Sequence, residues 1–175
     1  MGDANKVEFV PSNTQNRFTL LQSGEVDILA RNTTWTVTRD TSLGLNFVGV
    51  NYYDGQGFMV PRKLNVKSAK QLNGATVCVQ PGTTTELNLA DYFRANRMSF
   101  KPVVIEKLEE VLNAYFAGRC DVYTTDHSGL ISTRATRAPP SGARPRWPRV
   151  QAPARWWHYL PCDPRFRFFS LISRK

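Results

Sequence analysis

Over the first 130 residues, short apolar runs alternate with helical stretches at close spacing, and that alternation is the mark of an α/β fold. Lys6–Val10 reads as a strand. Asn16–Ser23 reads as a short helix, with Phe18, Leu20 and Leu21 inward and Gly24 as its stop. Val26–Ala30 and Gly57–Val60 are apolar runs of strand length, the second ended by Pro61. Ala75–Val79 is a third, rich in β-branched residues. A helix is predicted over Thr84–Asn96, then strands over Pro102–Ile105 and Asp121–Thr125. Between those strands lies an amphipathic helix, Lys107–Ala117, with Leu108, Val111, Leu112, Tyr115 and Phe116 at i, i+3, i+4, i+7 and i+8. Gly118 ends it. There is no internal repeat.

The sequence changes character near Leu130–Ile131. The net charge is +9, yet residues 1–130 carry 13 Lys+Arg against 13 Asp+Glu. The last 45 residues carry 10 Lys+Arg against one acid, Asp163, with seven of the 11 prolines and three of the four tryptophans. Residues 131–175 therefore form a separate basic, Pro/Arg-rich segment, expected to be irregular. Three readings of it stand side by side. Its arginines, near Trp147, Trp156 and Trp157, suit phosphates and stacked bases. Its composition suits a disordered linker. It also has the Arg, Pro, Ala and Gly bias of an out-of-frame extension in a GC-rich gene.

Other classes are excluded early. A chain of 175 residues predicts about one domain at roughly 150 residues each. No apolar run is long enough for a transmembrane helix, and no secretory leader pattern is visible. Three cysteines make no dense disulfide scaffold and no CxxC zinc pattern. His127 and His158 lack an evident catalytic partner. No Ser/His/Asp spacing, HExxH or paired carboxylates stand out, so neither an enzyme, a metal nor a cofactor is expected.

In open α/β sheets, ligands bind beyond the carboxyl ends of strands, and three such ends carry chemistry. After Ala30 come Asn32, Thr33, Thr34, Thr36 and Thr38, with Arg39 as a fixed cation able to grip a carboxylate. The plainer alternative is a polar loop whose threonines cap a helix. After Val79 a glycine turn, Pro81-Gly82-Thr83-Thr84, opens a helix. Thr83 with Glu86 makes a capping box, and the free N–H groups there make an anion site. The turn lacks the Gly-Lys-Ser/Thr ending of a nucleotide-binding loop. Asp126 closes the last strand and faces a cation or caps the next helix, while Asp121 reads as structural. One anion grip and one separate carboxylate match the charges of a zwitterion such as an α-amino acid.

At these residues the chain resembles the periplasmic solute-binding proteins of polar amino-acid ABC transporters, the general L-amino-acid-binding type most closely. The resemblance rests on Arg17–Asp27, on Asn32-Thr33-Thr34 followed by Arg39, on Tyr52–Val60, on Gly82-Thr83-Thr84, and on Asp121 followed by Asp126. It implies a two-lobed periplasmic-binding-protein type II fold, with residues 1–61 as a partial first lobe and 62–130 as a largely intact second lobe. It further implies that Arg39 clamps the ligand α-carboxylate with help from Gly82, Thr83 and Thr84. Asn32 and Thr34 hold the ligand from the first lobe, and Asp126 takes its α-ammonium. L-amino acids and a membrane permease are the implied partners, with no nucleic acid, a monomeric state and a periplasmic location. Met1-Gly2-Asp3 enters partway through the first lobe and the likeness stops near Leu130, so a truncated or non-functional copy is expected. An enzyme on the same fold, dehydratase-like, and a nucleic-acid binder acting through the basic segment are the alternatives.

Cys78 lies inside one expected strand and Cys120 just before another, so the two are expected to lie close. Two buried free thiols are favoured over a bridge, which a Cα separation above ~7 Å would exclude. Cys162 is expected to pair with neither.

Overall fold

The structure, a computed structural model, describes residues 3–137, 149–151 and 167–174. Its elements run α1 (Arg17–Ser23), β1 (Ile28–Ala30), α2 (Val37–Ser42), β2 (Leu45–Asp54), β3 (Gln56–Val60) and β4 (Thr76–Val79). They continue with α3 (Thr84–Ala95), β5 (Lys101–Val104), α4 (Leu108–Phe116), β6 (Val122–Asp126), α5 (His127–Thr136), β7 (Arg149–Gln151) and β8 (Arg167–Arg174). Two sheets result. The first has the order β1-β8-β2, antiparallel throughout. The second has the order β5-β4-β6-β3-β7, with β4 parallel to β5 and β6, and β3 antiparallel to β6 and β7. The chain crosses from the first sheet to the second at Gly55, between β2 and β3.

Strands β3, β4 and β6 of the second sheet are buried on both faces, which is why they read as continuous apolar runs, whereas the edge strand β5 is largely exposed. Successive side chains point to opposite faces of a strand. Phe58 and Val60 accordingly join Val77 and Val79 in one core cluster, which α3 completes with Leu89 and Phe93. Met59 and Cys78 point the other way, against Val111, Leu112 and Tyr115 of α4 and Leu130 of α5. The first sheet has a smaller described core, Leu21, Leu29, Leu45 and Phe47. Gly24 ends α1 in the left-handed region at φ 81°, its N–H donating to the Leu21 carbonyl.

Several sequence expectations differ from the structure. Residues 7–10 form no strand. Val7, Phe9 and Val10 are exposed, and among the described residues no strand offers them a ladder. Apolar periodicity marks neither β2 nor α2; α2 is the helix that the threonine-capping alternative allowed for. β2 buries only Leu45 and Phe47 before its side chains turn outward, so its pattern lacks sustained alternation. Residues 131–136 continue α5. The basic segment expected to be irregular also supplies β7 and β8, because the run Phe168–Ile172 has local strand character that the Pro/Arg average hides. Trp147, Trp156, Trp157, His158 and Cys162 lie outside the described residues.

Asp121 is structural, as read. Its Oδ2 accepts the Thr76 hydroxyl at 2.5 Å and the Thr76 N–H at 2.9 Å, and these bonds hold its carboxyl below the usual range. The neighbouring cysteines differ from the favoured expectation. Cys78 and Cys120 are bridged, with Cα atoms 5.7 Å apart and a sequence separation of 42. β4 and β6 are adjacent and parallel, and that adjacency brings the thiols within bonding reach.

Two outcomes follow. A closed loop of that length restrains the unfolded chain by about 4 kcal/mol in the chain-entropy account. Cys78→Ala/Cys120→Ala is thus expected to lose a few kcal/mol in urea unfolding, and an unchanged midpoint would contradict it. Amide exchange is expected to be slower in β4 and β6, inside the two larger clusters, than in β1.

Candidate functional site

Three strand ends meet in a cleft between the two sheets. Its lining includes Asn32, Thr34, Arg39, Thr83, Thr84 and Asp126, six of the seven residues singled out in the sequence. The seventh, Gly82, stands just behind and takes part through its backbone. Thr14, Arg17, Gln80, Thr85 and Thr125 complete the lining. The space enclosed is about 20 Å³, room for roughly one water. A larger hollow of about 160 Å³ lies elsewhere, at Val60, Pro61, Arg62, Asn65 and Val66. It gathers no opposed charges and is not the candidate.

Each arm of the cleft is built by local rules. Thr36 caps α2, its hydroxyl accepting the Arg39 N–H at 3.2 Å, so the helix-capping alternative holds for Thr36. That cap orients the first turn of α2 and so Arg39. Arg39 donates to the Thr34 carbonyl at 2.9 Å and reaches across to the Gly82 carbonyl at 3.4 Å. On the opposite side Gly82 has φ +68°, a region that favours glycine. Its N–H donates to Glu86 at 2.9 Å, and Thr83 accepts the Glu86 N–H at 3.1 Å while donating to the Gln80 carbonyl at 2.8 Å. The Thr83 hydroxyl is therefore spent on holding the turn. The Thr84 hydroxyl meets Thr34 across the cleft at 3.0 Å.

Arg17 is the main residue that sequence reasoning missed as a site residue. It opens α1 at 2% exposure, one turn before the fully buried Leu21. Its guanidinium donates to the Asn32 carbonyl at 3.3 Å, the Thr33 hydroxyl at 3.4 Å and, across the cleft, the Gly82 carbonyl at 3.2 Å. Its Nε–H has no partner among the described residues, and neither has the buried Thr14 hydroxyl beside it in the lining. Burial, then the nearby Arg39 and Arg31, pull Arg17 well below the usual guanidinium range, to about 9, while the Asp126 charge opposes them. It stays a cation at neutral pH. The signal in the sequence was a charged residue on the same helical face as Leu21.

Asp126 is 7% exposed. It occupies the position before α5 but makes no side-chain capping bond there. Its carboxylate is felt electrostatically by Arg17. Two guanidiniums on one side and one carboxylate on the other thus face a cleft whose walls already touch. Among the described residues, no three His, Cys, Asp or Glu side chains are grouped to hold a metal ion.

No protein-family model matches the chain. Over 135 residues it is 66% identical to the general L-amino acid-binding periplasmic protein of Rhizobium johnstonii, covering 77% of this chain and 40% of that protein. Over 136 residues it is 61% identical to the glutamate/glutamine/aspartate/asparagine-binding protein of Rhodobacter capsulatus, covering 78% and 40%. A solved ABC transporter periplasmic binding protein from Brucella ovis, with glutathione bound, shares 53% identity at a TM-score of 0.82 over 99% of this chain and 50% of its own. The chain spans about 40% of the length of the curated relatives it matches. Over the matched stretch it is homologous to amino-acid-binding proteins of ABC transporters, and it shares their two-lobed α/β fold.

Gly82 offers a test of the cleft's geometry. A Cβ there would meet the Gln15 side-chain oxygen at 2.8 Å, and its φ penalises any L side chain. Gly82→Ala is expected to cost about 1–2 kcal/mol in urea unfolding, from the left-handed backbone alone. A stability unchanged by this substitution would mean that the turn relaxes freely.

Proposed function

We propose that the chain acts as the solute-binding component of an amino-acid ABC transporter, capturing L-amino acids in the periplasm for a membrane permease, as a monomer and without chemistry. The observation that carries this reading is the opposition of charges in the cleft. Arg17 and Arg39 converge from one side, and Asp126 lies on the other. A zwitterion must shed water from both charged ends, so each end needs a charged, hydrogen-bonded partner.

In this reading Arg39 clamps the α-carboxylate, together with the Gly82–Thr84 turn, and Asp126 takes the α-ammonium. Asn32 and Thr34 complete the grip from the first lobe. The Gly82 carbonyl now receives the two guanidiniums. A carboxylate makes the stronger, bidentate pair and displaces it as the lobes part to admit the ligand. The unpartnered Nε–H of Arg17 and the Thr14 hydroxyl point to a polar ligand side chain. Two guanidiniums and one carboxylate are the inverse of a ligand with two carboxylates and one ammonium, so an acidic L-amino acid fits best. The names of the relatives, which are binding proteins for amino acids, support the same class.

The test is calorimetry with L-glutamate on the chain and its variants. Breaking one partner of a buried charge pair costs about 2–5 kcal/mol, so Arg39→Ala is expected to weaken binding by roughly 30-fold or more. Asp126→Asn is expected to act likewise. Arg17→Ala is expected to weaken L-glutamate more than L-alanine. Binding indifferent to both Arg39→Ala and Asp126→Asn would refute the site.

A further inference from the structure

An aspartate placed just before a helix ordinarily caps it, its carboxylate accepting the N–H of the second or third helical residue. Asp126 stands at that position of α5, with φ −61° and ψ 147°, yet makes no such bond. The N–H of the second helical residue, Ser128, is already taken. It lies 3.2 and 3.3 Å from the two carboxylate oxygens of Asp54, and the Ser128 hydroxyl donates to the same carboxylate. The N–H before it, that of His127, donates to the Gly55 carbonyl at 2.6 Å. Both acceptors come from one place, the end of β2 where the chain crosses between sheets. Asp54 is itself steadied there by the Gly55 N–H at 2.7 Å.

The helix start is thus capped from the crossover and not by its own preceding residue. The consequence falls on Asp126, whose carboxylate is released from that duty and lines the cleft. The fit is close. A Cβ on Gly129 would lie 3.3 Å from the Thr125 methyl, and Thr125 is another cleft residue, so a shift of the helix start reaches the cleft directly.

We infer that Asp54 is a positioning residue: by capping α5 in place of Asp126, it keeps the Asp126 carboxylate turned into the cleft. This rests on the reading of Asp126 as the partner of the ligand ammonium. Without Asp54 the Ser128 N–H has lost its acceptor, and Asp126 is the carboxylate whose chain position suits it. Turning to take that N–H withdraws Asp126 from the cleft. The effect is therefore specific to the positive end of the ligand.

The experiment compares L-glutamate with glutarate, the same skeleton without the α-ammonium, as probes of the full chain in competition calorimetry. Asp54→Ala is expected to weaken L-glutamate by about tenfold, a loss on the scale of a helix cap, and to leave glutarate within about twofold. Asp54→Asn keeps a side-chain carbonyl for the Ser128 N–H and is expected to stay within about threefold of the parent, which is the rescue a positioning role demands. In Asp54→Ala/Asp126→Asn, the loss is expected to match that of Asp126→Asn alone, as for two residues acting through one contact. Urea unfolding checks that each variant is folded. Ser128→Ala, which removes only the hydroxyl bond, is a milder probe with a smaller loss expected on L-glutamate alone. Equal weakening of both probes by the Asp54 and Ser128 variants would overturn the inference, since a merely structural role predicts that result. No weakening of either probe would overturn it too. Asp126→Asn separates the two levels. If it does not distinguish L-glutamate from glutarate, the reading of Asp126 fails; if it does and Asp54→Ala does not, only the positioning role fails.

Discussion

A buried guanidinium must find acceptors, and in this protein that requirement joins the two sides of the cleft. Arg17 is almost wholly inaccessible, and among the described residues its own side supplies the Asn32 carbonyl and the Thr33 hydroxyl. The third acceptor is the Gly82 carbonyl, presented by a turn of the other sheet. Arg39 leans on the same oxygen. One backbone carbonyl thus balances two cations, an arrangement worth less than two ion pairs because a carbonyl carries no net charge. The closed cleft is held by contacts that a better acceptor displaces. Reserve binding capacity of this kind suits a surface that exchanges partners, and the unpartnered donors on Arg17 and Thr14 add to it.

The groups of the cleft stand on two different bodies of packing. The second sheet has clusters on both faces and a covalent tie between β4 and β6. The turn at Gly82 and the carboxylate of Asp126 both stand on these strands. Arg17 and Arg39 stand on short helices beside the smaller cluster of Leu21, Leu29, Leu45 and Phe47. The crossover at Asp54–Gly55 lies between the two sets of groups.

Much of this was legible in the sequence, for identifiable reasons. Apart from β7, the strands of the second sheet and the helices α3 and α4 have clear apolar patterns, so their sequence along the chain was readable and their limits to about one residue. The strand ends that carry Thr34, Thr84 and Asp126 were readable because polar residues cluster abruptly after apolar runs. β2 was not, because only two of its side chains enter the core. Arg17 escaped notice as a site residue because Phe18, Leu20 and Leu21 spell a core helix, and a cation one turn before Leu21 on its buried face is a weak signal beside them. Free thiols were favoured over the bridge because sequence gives neighbouring strands but not the register that sets Cα atoms 5.7 Å apart. Asp54 was invisible for a different reason. Its role exists only when residues 74 positions apart are brought together.

The Cys78–Cys120 bridge has a consequence for measurement of length. It pins two strands side by side, one leading to the Gly82–Thr84 turn and the other ending at Asp126. Whatever hinge motion the crossover permits, the gap between those two grips does not change with it. They act as a fixed gauge. In the proposed reading that gauge spans the carboxylate and ammonium of a ligand, a distance common to every α-amino acid whatever its side chain. Such a gauge reads the backbone of the ligand strictly, and β-alanine, longer by a single methylene between its charges, is the molecule it turns away.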